Sequence, residues 1–355
     1  MTDTLTKLAY QTFQQGKSYF GFTHKTLSAR LYELVAPPRE IQTQPISPEL
    51  LQQAQQRLDK LLEADWQDAE RGVYPASLLF DNPWEDFFRY YPLVWLDLPK
   101  IWDRTSRKQY QEFSPEIETE GYPSYYVQNF HHQTDGYLSD ESASLYDLQV
   151  EILFNGGADP MRRRILAPLK QGLAASFPEV APRQVRVLDV ATGTGRTLRQ
   201  IRGALPKASL YGTDLSPAYL RKANQLLSEL PGELPQLCQA NAEHLPYSDR
   251  YFHGVTCVFT FHELPPEARQ RVIEECFRVL QPGGTFVICD SIQALDLPEF
   301  DPFMENFQAM FHEPYHRHYT TDNLVARLEN AGFTDITMEN HFMSKYWVAR
   351  KNSDR

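Results

Sequence analysis

The clearest hydrophobic pattern lies in the second half of the chain, where short apolar runs alternate with amphipathic segments from residue 185 onward. Short apolar runs bounded by polar turns are typical of parallel strands that are buried on both faces. We predict strands at 185–190, 209–213, 237–239, 254–260, 285–290, 334–339 and 346–349, and helices at 196–204, after Ser216-Pro217, at 266–280 and at 320–331. This alternation predicts an α/β fold with a parallel sheet and ligands at the carboxyl ends of its strands.

The first half of the chain has a different pattern. Leu27, Leu31 and Leu34 keep helical spacing, and Ser47-Pro48 is a helix start signal followed by five leucines up to residue 62. From about 72 to 125 the sequence is rich in aromatic residues and proline without a clear period, which predicts an irregular helical cap. We therefore divide the chain into a mainly helical cap (1–120), a polar loop and helix (121–170), and an α/β domain (171–355).

Composition narrows the functional classes. No apolar run in the 355 residues approaches the roughly 18 needed for a membrane helix. The first residues lack the basic and apolar regions of a signal peptide, and the four cysteines have no paired spacing, so we expect a cytoplasmic protein with reduced thiols. A formal charge of −11 argues against nucleic acid as a partner. Arg162-Arg163-Arg164 is expected to be a solvated helix face.

A glycine turn follows the first predicted strand and marks a ligand site. Gly193 and Gly195 permit positive φ and let backbone N–H groups approach a ligand at the start of the next helix. Asp189, four residues before the first glycine, can reach over this turn. A lone Gly-x-Gly is also found in ordinary strand–helix turns, so the turn alone does not define a cofactor.

Four ordered segments resemble the class I S-adenosylmethionine (SAM) dependent methyltransferases over about 185–350. They are Val187 to Gly195, Asp214 after the second strand, Asn241-Ala242-Glu243 with Leu245-Pro246, and Phe277 to Gly284. The resemblance is greatest to small-molecule methyltransferases of ubiquinone and menaquinone synthesis. It implies a Rossmann-like, doubly wound, mostly parallel seven-stranded sheet with an antiparallel last strand. The cofactor residues it implies are Asp189, Ala191, Thr192, Gly193, Gly195, Asp214, Leu215, Asn241, Ala242 and Phe259.

A nicotinamide dinucleotide is the rival cofactor for this turn. Its fingerprint requires a third glycine, and Leu198 occupies that position. SAM has no pyrophosphate and carries an ammonium group, which suits the carboxylate of Asp189. Asp214 would bind the ribose of either cofactor and so does not discriminate between them. Leu198 and Asp189 therefore decide the comparison, and they favour SAM over NAD.

Methyl transfer can proceed largely through the alignment of donor and acceptor, so the sequence need not show a strong base. His262 and Glu263 follow the fourth strand, where the resemblance places the methyl group, and we predict them as catalytic residues. The structural alternative is that His262 caps the next helix or bonds to backbone.

Two polar loops are candidates for binding the acceptor: His131, His132 and Tyr137 in the first, and His312, Tyr315, His316 and Tyr319 in the second. Each could equally be a surface loop. His312 to His316 formally matches the zinc-protease pattern His-Glu-x-x-His, but Pro314 interrupts the helix that this pattern needs. We therefore expect no metal site.

Together these features predict a methyltransferase that transfers a methyl group from SAM to a small molecule, either aromatic, phenolic, quinol or carboxylic. The alternative is a SAM-binding sensor or scaffold whose aromatic N-terminal region binds a protein partner. The sequence does not indicate an oligomeric state.

Overall fold

The computed structural model describes residues 4–35, 43–82 and 84–352. Its N-terminal part contains six helices: α1 (Thr4–Val35), α2 (Pro48–Glu70), α3 (Trp84–Arg107), α4 (Asp140–Leu153), α5 (Ala158–Arg163) and α6 (Leu166–Ser176). The strands are β1 (Arg186–Val190), β2 (Ser209–Asp214), β3 (Gln236–Gln239), β4 (Phe252–Val258), β5 (Leu280–Ser291), β6 (Phe333–His341) and β7 (Ser344–Lys351). The later helices are α7 (Arg196–Ala204), α8 (Pro217–Ser228), α9 (Pro266–Val279), α10 (Asp301–Met310), α11 (His316–Tyr319) and α12 (Leu324–Ala331).

The seven strands form one sheet in the order β3-β2-β1-β4-β5-β7-β6. Strands β1 to β5 are parallel, and β7 runs antiparallel to both of its neighbours. The predicted Rossmann-like sheet with an antiparallel last strand is therefore confirmed. The order reverses between β1 and β4, and the cleft of a doubly wound sheet lies at such a switch point.

Local signals explain why the helices begin and end where they do. Ser216 caps α8 by accepting a hydrogen bond from the backbone N–H of Tyr219. Gly332 ends α12 with a φ of 102°, a left-handed conformation that glycine adopts without a steric penalty. Strand β5 begins at Leu280, five residues earlier than expected, because Leu280 pairs with Phe252 before a register shift restores the main ladder.

The N-terminal region is mainly helical, as predicted, but its aromatic-rich part is more regular than expected. Helix α3 continues through Pro92 and Pro99. Pro83, in the same stretch, lies outside the described residues. Aromatic packing supports this helix: Phe20 of α1 contacts Phe87 and Tyr91 with ring centroids 4.9 Å apart in both cases. Each proline lacks a backbone N–H and so removes one helical hydrogen bond, and the aromatic packing offsets the stability that is lost.

The prediction of a solvated arginine face at 162–164 is wrong. Arg163 is buried and donates to both carboxylate oxygens of Asp65 on α2, at 2.8 and 2.6 Å. Arg164 is paired with Asp68, also on α2, and Arg162 lies 3.1 Å from Asp159. Acidic partners nearly 100 residues earlier in the chain neutralise Arg163 and Arg164, and Asp159 neutralises Arg162, so these cations can be buried.

Two apolar clusters, one on each face, cover the sheet. Tyr10 and Trp66 from the first two helices belong to the cluster that also contains Val187 and Leu198, so the N-terminal helices share the core of the sheet. Cys257, Cys276 and Cys289 are buried in these clusters, and all four cysteines are free. No described helix combines the length and the apolar character needed to cross a bilayer.

Candidate functional site

A cleft of about 990 Å³, including space open to solvent, lies at the carboxyl ends of β1, β2 and β4. Ten of the predicted site residues line it: Ala191, Thr192, Gly193, Asp214, Leu215, Asn241, Ala242, Phe259, Glu263 and Tyr137. Residues of β1, β2 and β4 and of the 121–146 segment therefore meet at one site.

Asp214, the last residue of β2, places a carboxylate in the cleft lining. Its carboxylate accepts hydrogen bonds from the backbone N–H groups of Gly193 and Ser216, both at 2.8 Å. Within the described parts of the chain no Lys or Arg forms an ion pair with it, and burial raises its pKa to about 6. A buried carboxylate without a cation, facing a cleft, is suited to accept hydrogen bonds from ligand hydroxyl groups.

The two glycines of the turn have different roles: Gly193 leaves room for a ligand, and Gly195 leaves room for a neighbouring helix. Gly193 has a φ of 56°, and a Cβ there would meet only the Tyr219 ring, at 3.9 Å, so its backbone is open to the cleft. A Cβ at Gly195 would lie 3.0 Å from Ala223. Gly195 thus allows α7 and α8 to pack closely, and it is not among the residues that line the cleft.

Asp189 lies behind the turn. Its carboxylate accepts hydrogen bonds from the hydroxyl groups of Thr192 (2.7 Å) and Thr256 (2.6 Å) and is not part of the cleft lining. Burial raises the pKa of Asp189 to about 7. In this structure Asp189 stabilises the turn that contains Thr192 and Gly193, through its hydrogen bond with Thr192.

Asn241 and Ala242 form the wall of the cleft after β3. The Asn241 side chain accepts a hydrogen bond from the backbone of Glu243, and Glu243 is paired with Arg271. Phe259 closes the other side with a φ of 56°, a strained conformation for a non-glycine residue. Its ring stacks with Phe154 and lies 5.5 Å from the guanidinium of Arg162.

An aromatic wall, contributed mainly by the 121–146 segment, faces the cofactor side. Its members are Tyr125, Tyr126, Phe130, Tyr137, Tyr146 and Tyr219. Burial raises the pKa of Tyr126 and Tyr137 well above 10, so both hydroxyl groups remain protonated donors. Of these six, sequence reasoning identified only Tyr137 as a site residue, although the crowding of tyrosines at 122–126 was visible.

Glu263 lines the cleft and accepts a hydrogen bond from Tyr137, whereas His262 lies behind it. Nδ1 of His262 is 2.6 Å from Asp290 of β5, and the Asp290 carboxylate raises the pKa of His262 to about 10 against the effect of burial. Burial and the neighbouring carboxylate of Glu313 raise the pKa of Glu263 to about 7.

The other predicted acceptor residues do not line the cleft. His132 and His312 are packed together, with His312 stacked on Tyr110 at 4.0 Å. His316 lies 3.2 Å from Ser291, and Tyr319 donates to the Ser291 carbonyl. Tyr315 packs edge-on against Tyr125. His131 is close to Glu263 and Glu313, in a group with His262 whose ligand atoms all lie within 4.8 Å of one another.

Comparison with known proteins agrees with this geometry. Residues 187–284 match the family model of a methyltransferase domain. The chain is 30% identical over 227 residues to a demethylmenaquinone methyltransferase of Thermotoga maritima, covering 58% of this chain and 90% of the relative. It is 33% identical over 153 residues to a demethylmenaquinone methyltransferase of Thermus thermophilus, covering 43% of this chain and 64% of that protein.

Among solved structures, a methyltransferase from Bacillus halodurans aligns with 52% of this chain and 99% of its own, at 19% identity and a TM-score of 0.40. The fold and cleft define a nucleotide-binding α/β protein of the doubly wound class. The chain belongs to the class I SAM-dependent methyltransferases, and SAM is its methyl donor.

Proposed function

We propose that the enzyme methylates a small aromatic molecule that carries a phenol, quinol or carboxyl group. The observation behind this proposal is the aromatic wall opposite Asp214, which ends at the buried carboxylate of Glu263. Flat aromatic surfaces with a few polar groups select ring-shaped ligands, because stacking and edge contacts fill the space. The relatives named as demethylmenaquinone methyltransferases support a ring-containing acceptor.

On the donor side, we assign the ribose hydroxyl groups to Asp214 and the adenine to Leu215, Asn241 and Ala242. The backbone at Gly193 lies open between them, and its Cβ position is empty toward the cleft. SAM supplies an electrophilic methyl group on a positively charged sulfur. The nearby residues supply hydrogen-bond acceptors and surfaces that exclude water. Both suit the sulfonium group of SAM, which loses its positive charge during methyl transfer.

On the acceptor side, the 121–170 segment excludes water and positions the ring. Tyr137 binds Glu263 through its hydroxyl group, and its carbonyl accepts a hydrogen bond of 2.5 Å from Ser216 at the start of α8. The same segment also supplies Tyr126 and Arg162 to the cleft. We therefore assign residues 1–120 to a supporting cap, 121–170 to the acceptor wall and 171–355 to the donor-binding domain.

Alignment is the main catalytic contribution that we assign to the cleft. Holding donor and acceptor in line can lower the barrier by roughly 7–11 kcal/mol. During transfer the carbon–sulfur bond breaks, the methyl group bonds to the acceptor, and S-adenosylhomocysteine and one proton leave. Glu263 lines the cleft and accepts a hydrogen bond from Tyr137 of the aromatic wall, and we propose that it contacts the acceptor.

A screen of acceptors tests this proposal. The protein is incubated with methyl-labelled SAM and a panel of phenols, quinols, aromatic carboxylic acids and matched aliphatic alcohols, and the products are analysed by mass spectrometry. We expect a mass gain of one methylene unit on an aromatic member of the panel. Tyr126→Ala should lower transfer at unchanged SAM affinity, while Tyr90→Ala, outside the cleft, should not. Transfer only to aliphatic acceptors, or equal transfer by Tyr126→Ala, would refute the aromatic acceptor.

A further inference from the structure

Four potential metal ligands meet beside the cleft, where we expected no metal site from the sequence. They come from three separate loops: His131, His262 with Glu263, and Glu313. Nε2 of His131 lies 3.9 Å and Nε2 of His262 lies 3.8 Å from the same Oε1 of Glu263. All the ligand atoms lie within 4.8 Å of one another. In a tetrahedral zinc site with metal–ligand distances of about 2.0–2.1 Å, ligand atoms lie roughly 3.4 Å apart, so the most distant of these atoms must approach each other by about 1.4 Å.

The state of Glu313 points independently to a missing ligand. Its side chain is completely buried and forms an ion pair with Nε2 of His131. Neither of its carboxylate oxygens has a hydrogen bond of normal geometry within the described residues. Within the described residues the His131 ring is therefore the one partner of this buried carboxylate, and coordination of a cation would offset more of its desolvation cost.

His262 is oriented as metal-binding histidines are. Its Nδ1 bonds to the buried carboxylate of Asp290 at 2.6 Å, and this bond aims Nε2 at Glu263. A carboxylate–histidine pair of this kind fixes the ring and the tautomer of a metal ligand. Nδ1 of His131 lies 3.2 Å from the side-chain nitrogen of Gln133, whose oxygen accepts a hydrogen bond from Ser142, so Gln133 fixes the orientation of the His131 ring.

The charge of the group also favours a cation. Glu263, Glu313 and Asp290 bring three carboxylates close together, with side-chain exposures of 15%, 0% and 0%. None of the lysine or arginine residues in the described ranges forms an ion pair with any of these three carboxylates. A divalent ion would take the place of the imidazole protons that face these carboxylates and would compensate two of the three negative charges.

We propose a site for one divalent transition-metal ion beside the methyl-transfer cleft, with the ligands His131, His262, Glu263 and Glu313. Two imidazole nitrogens and two carboxylate oxygens suit Zn²⁺, Fe²⁺ or Mn²⁺ better than Mg²⁺ or Ca²⁺, which prefer oxygen ligands alone. The site is distinct from the His-Glu-x-x-His pattern, because His312 and His316 lie outside the group.

The location of Glu263 gives the site a role. It belongs both to the ligand group and to the cleft lining, so an ion here has its accessible side toward the acceptor. Resting on the proposed function, we infer that the ion binds an acceptor oxygen as a fifth ligand beside the four protein ligands. A divalent ion lowers the pKa of a bound hydroxyl group and orients it as a nucleophile.

Direct binding to metal-free protein tests the site without measuring catalysis. Untagged protein is stripped with a chelator and titrated with Zn²⁺ by calorimetry, and with Co²⁺ as a visible spectroscopic probe. We expect one ion per chain. Glu313→Gln and His131→Gln should weaken binding at least about 10-fold, in line with the effect of disturbing metal ligands and their supporting groups. His318→Gln, in the same loop but half exposed and outside the group, should bind normally.

SAM titration of each variant serves as the folding control, since Glu313 and His131 lie outside the cleft lining. Anomalous diffraction from Zn²⁺-soaked wild-type crystals locates the ion without any variant. Failure of wild-type protein to bind an ion, or an ion bound away from these four residues, would overturn the proposal. SAM binding and methyl transfer by the metal-free protein would remain, so that failure is distinguishable from failure of the proposed function.

Discussion

At the scale of single residues, Asp214 links the fold to the chemistry. It is the last residue of β2, and its carboxylate accepts a hydrogen bond from the backbone N–H of Gly193 in the glycine turn. It faces the cleft without a cationic partner among the described residues. Its burial makes the charged form costly in the free protein. That cost is the reason why hydrogen bonds from a ligand should be strong here.

The raised pKa of Asp214 predicts a pH dependence of SAM binding. With a pKa of about 6, Asp214 is largely protonated at pH 5 and ionised at pH 8. If the ionised form binds the ribose, SAM affinity should fall about 10-fold from pH 8 to pH 5. Isothermal titration calorimetry measures this directly. The Asp214→Ala variant should lose this dependence, and a flat wild-type profile would contradict the assignment.

The same shift has the opposite consequence for stability. The folded state keeps the Asp214 proton up to a pH of about 6, whereas the unfolded chain loses it near its ordinary pKa of 3.8. The contribution of this group to stability is therefore present at low pH and is lost as the pH rises from about 4 to 6. The residue that we assign to the ribose thus destabilises the free protein at neutral pH.

At the scale of elements, strand positions and caps were predictable because they depend on nearby residues. The run from Val187 to Val190, Ser216 as a helix cap and Gly332 as a helix end act within a few positions of the elements that they define. The paired burial of Arg163 with Asp65 was not predictable, because the partners are 98 residues apart. The contact between His131 and Glu313 was not predictable for the same reason, because these residues are also far apart in the sequence.

Replacing a glycine by alanine tests how closely two elements pack, here α6 against β5. A Cβ at Gly172 in α6 would lie 2.1 Å from Oγ1 of Thr285 in β5, whereas a Cβ at Gly16 in α1 meets no atom within 4 Å. Gly172→Ala should therefore lower the free energy of unfolding by about 1–3 kcal/mol through overpacking. Gly16→Ala, the matched control, should raise it by about 0.5–1 kcal/mol. Urea denaturation measures both, and equal effects would mean that α6 does not pack as closely as described.

At the scale of the whole molecule, the N-terminal helices are joined to the α/β domain by charge as well as by apolar contact. Asp65 of α2 accepts hydrogen bonds from Tyr10 of α1, Tyr74 and Arg163 of α5. All of these groups are buried. The network ties the cap to α5, and Arg162 of that helix lines the cleft.

Removing one charge from this network should destabilise the protein strongly. Asp65→Ala leaves the Arg163 guanidinium buried and unpaired, and we expect a loss of about 3–5 kcal/mol. Glu63→Ala, which breaks the exposed pair with Lys7, should cost less than about 1 kcal/mol. Thermal unfolding should show one transition in both variants. Separate melting of the cap in wild-type protein would contradict the shared core.

The most direct test of the central claim is the equilibrium titration of SAM into wild-type protein and into Asp214→Ala, with Asp249→Ala as an exposed aspartate control. Each charge-assisted hydrogen bond is worth about 1.5–3 kcal/mol, so the loss of Asp214 should weaken binding at least about 10-fold. Asp249→Ala should bind like the wild type. Equal affinity in Asp214→Ala and wild-type protein would show that the donor is not held at this cleft.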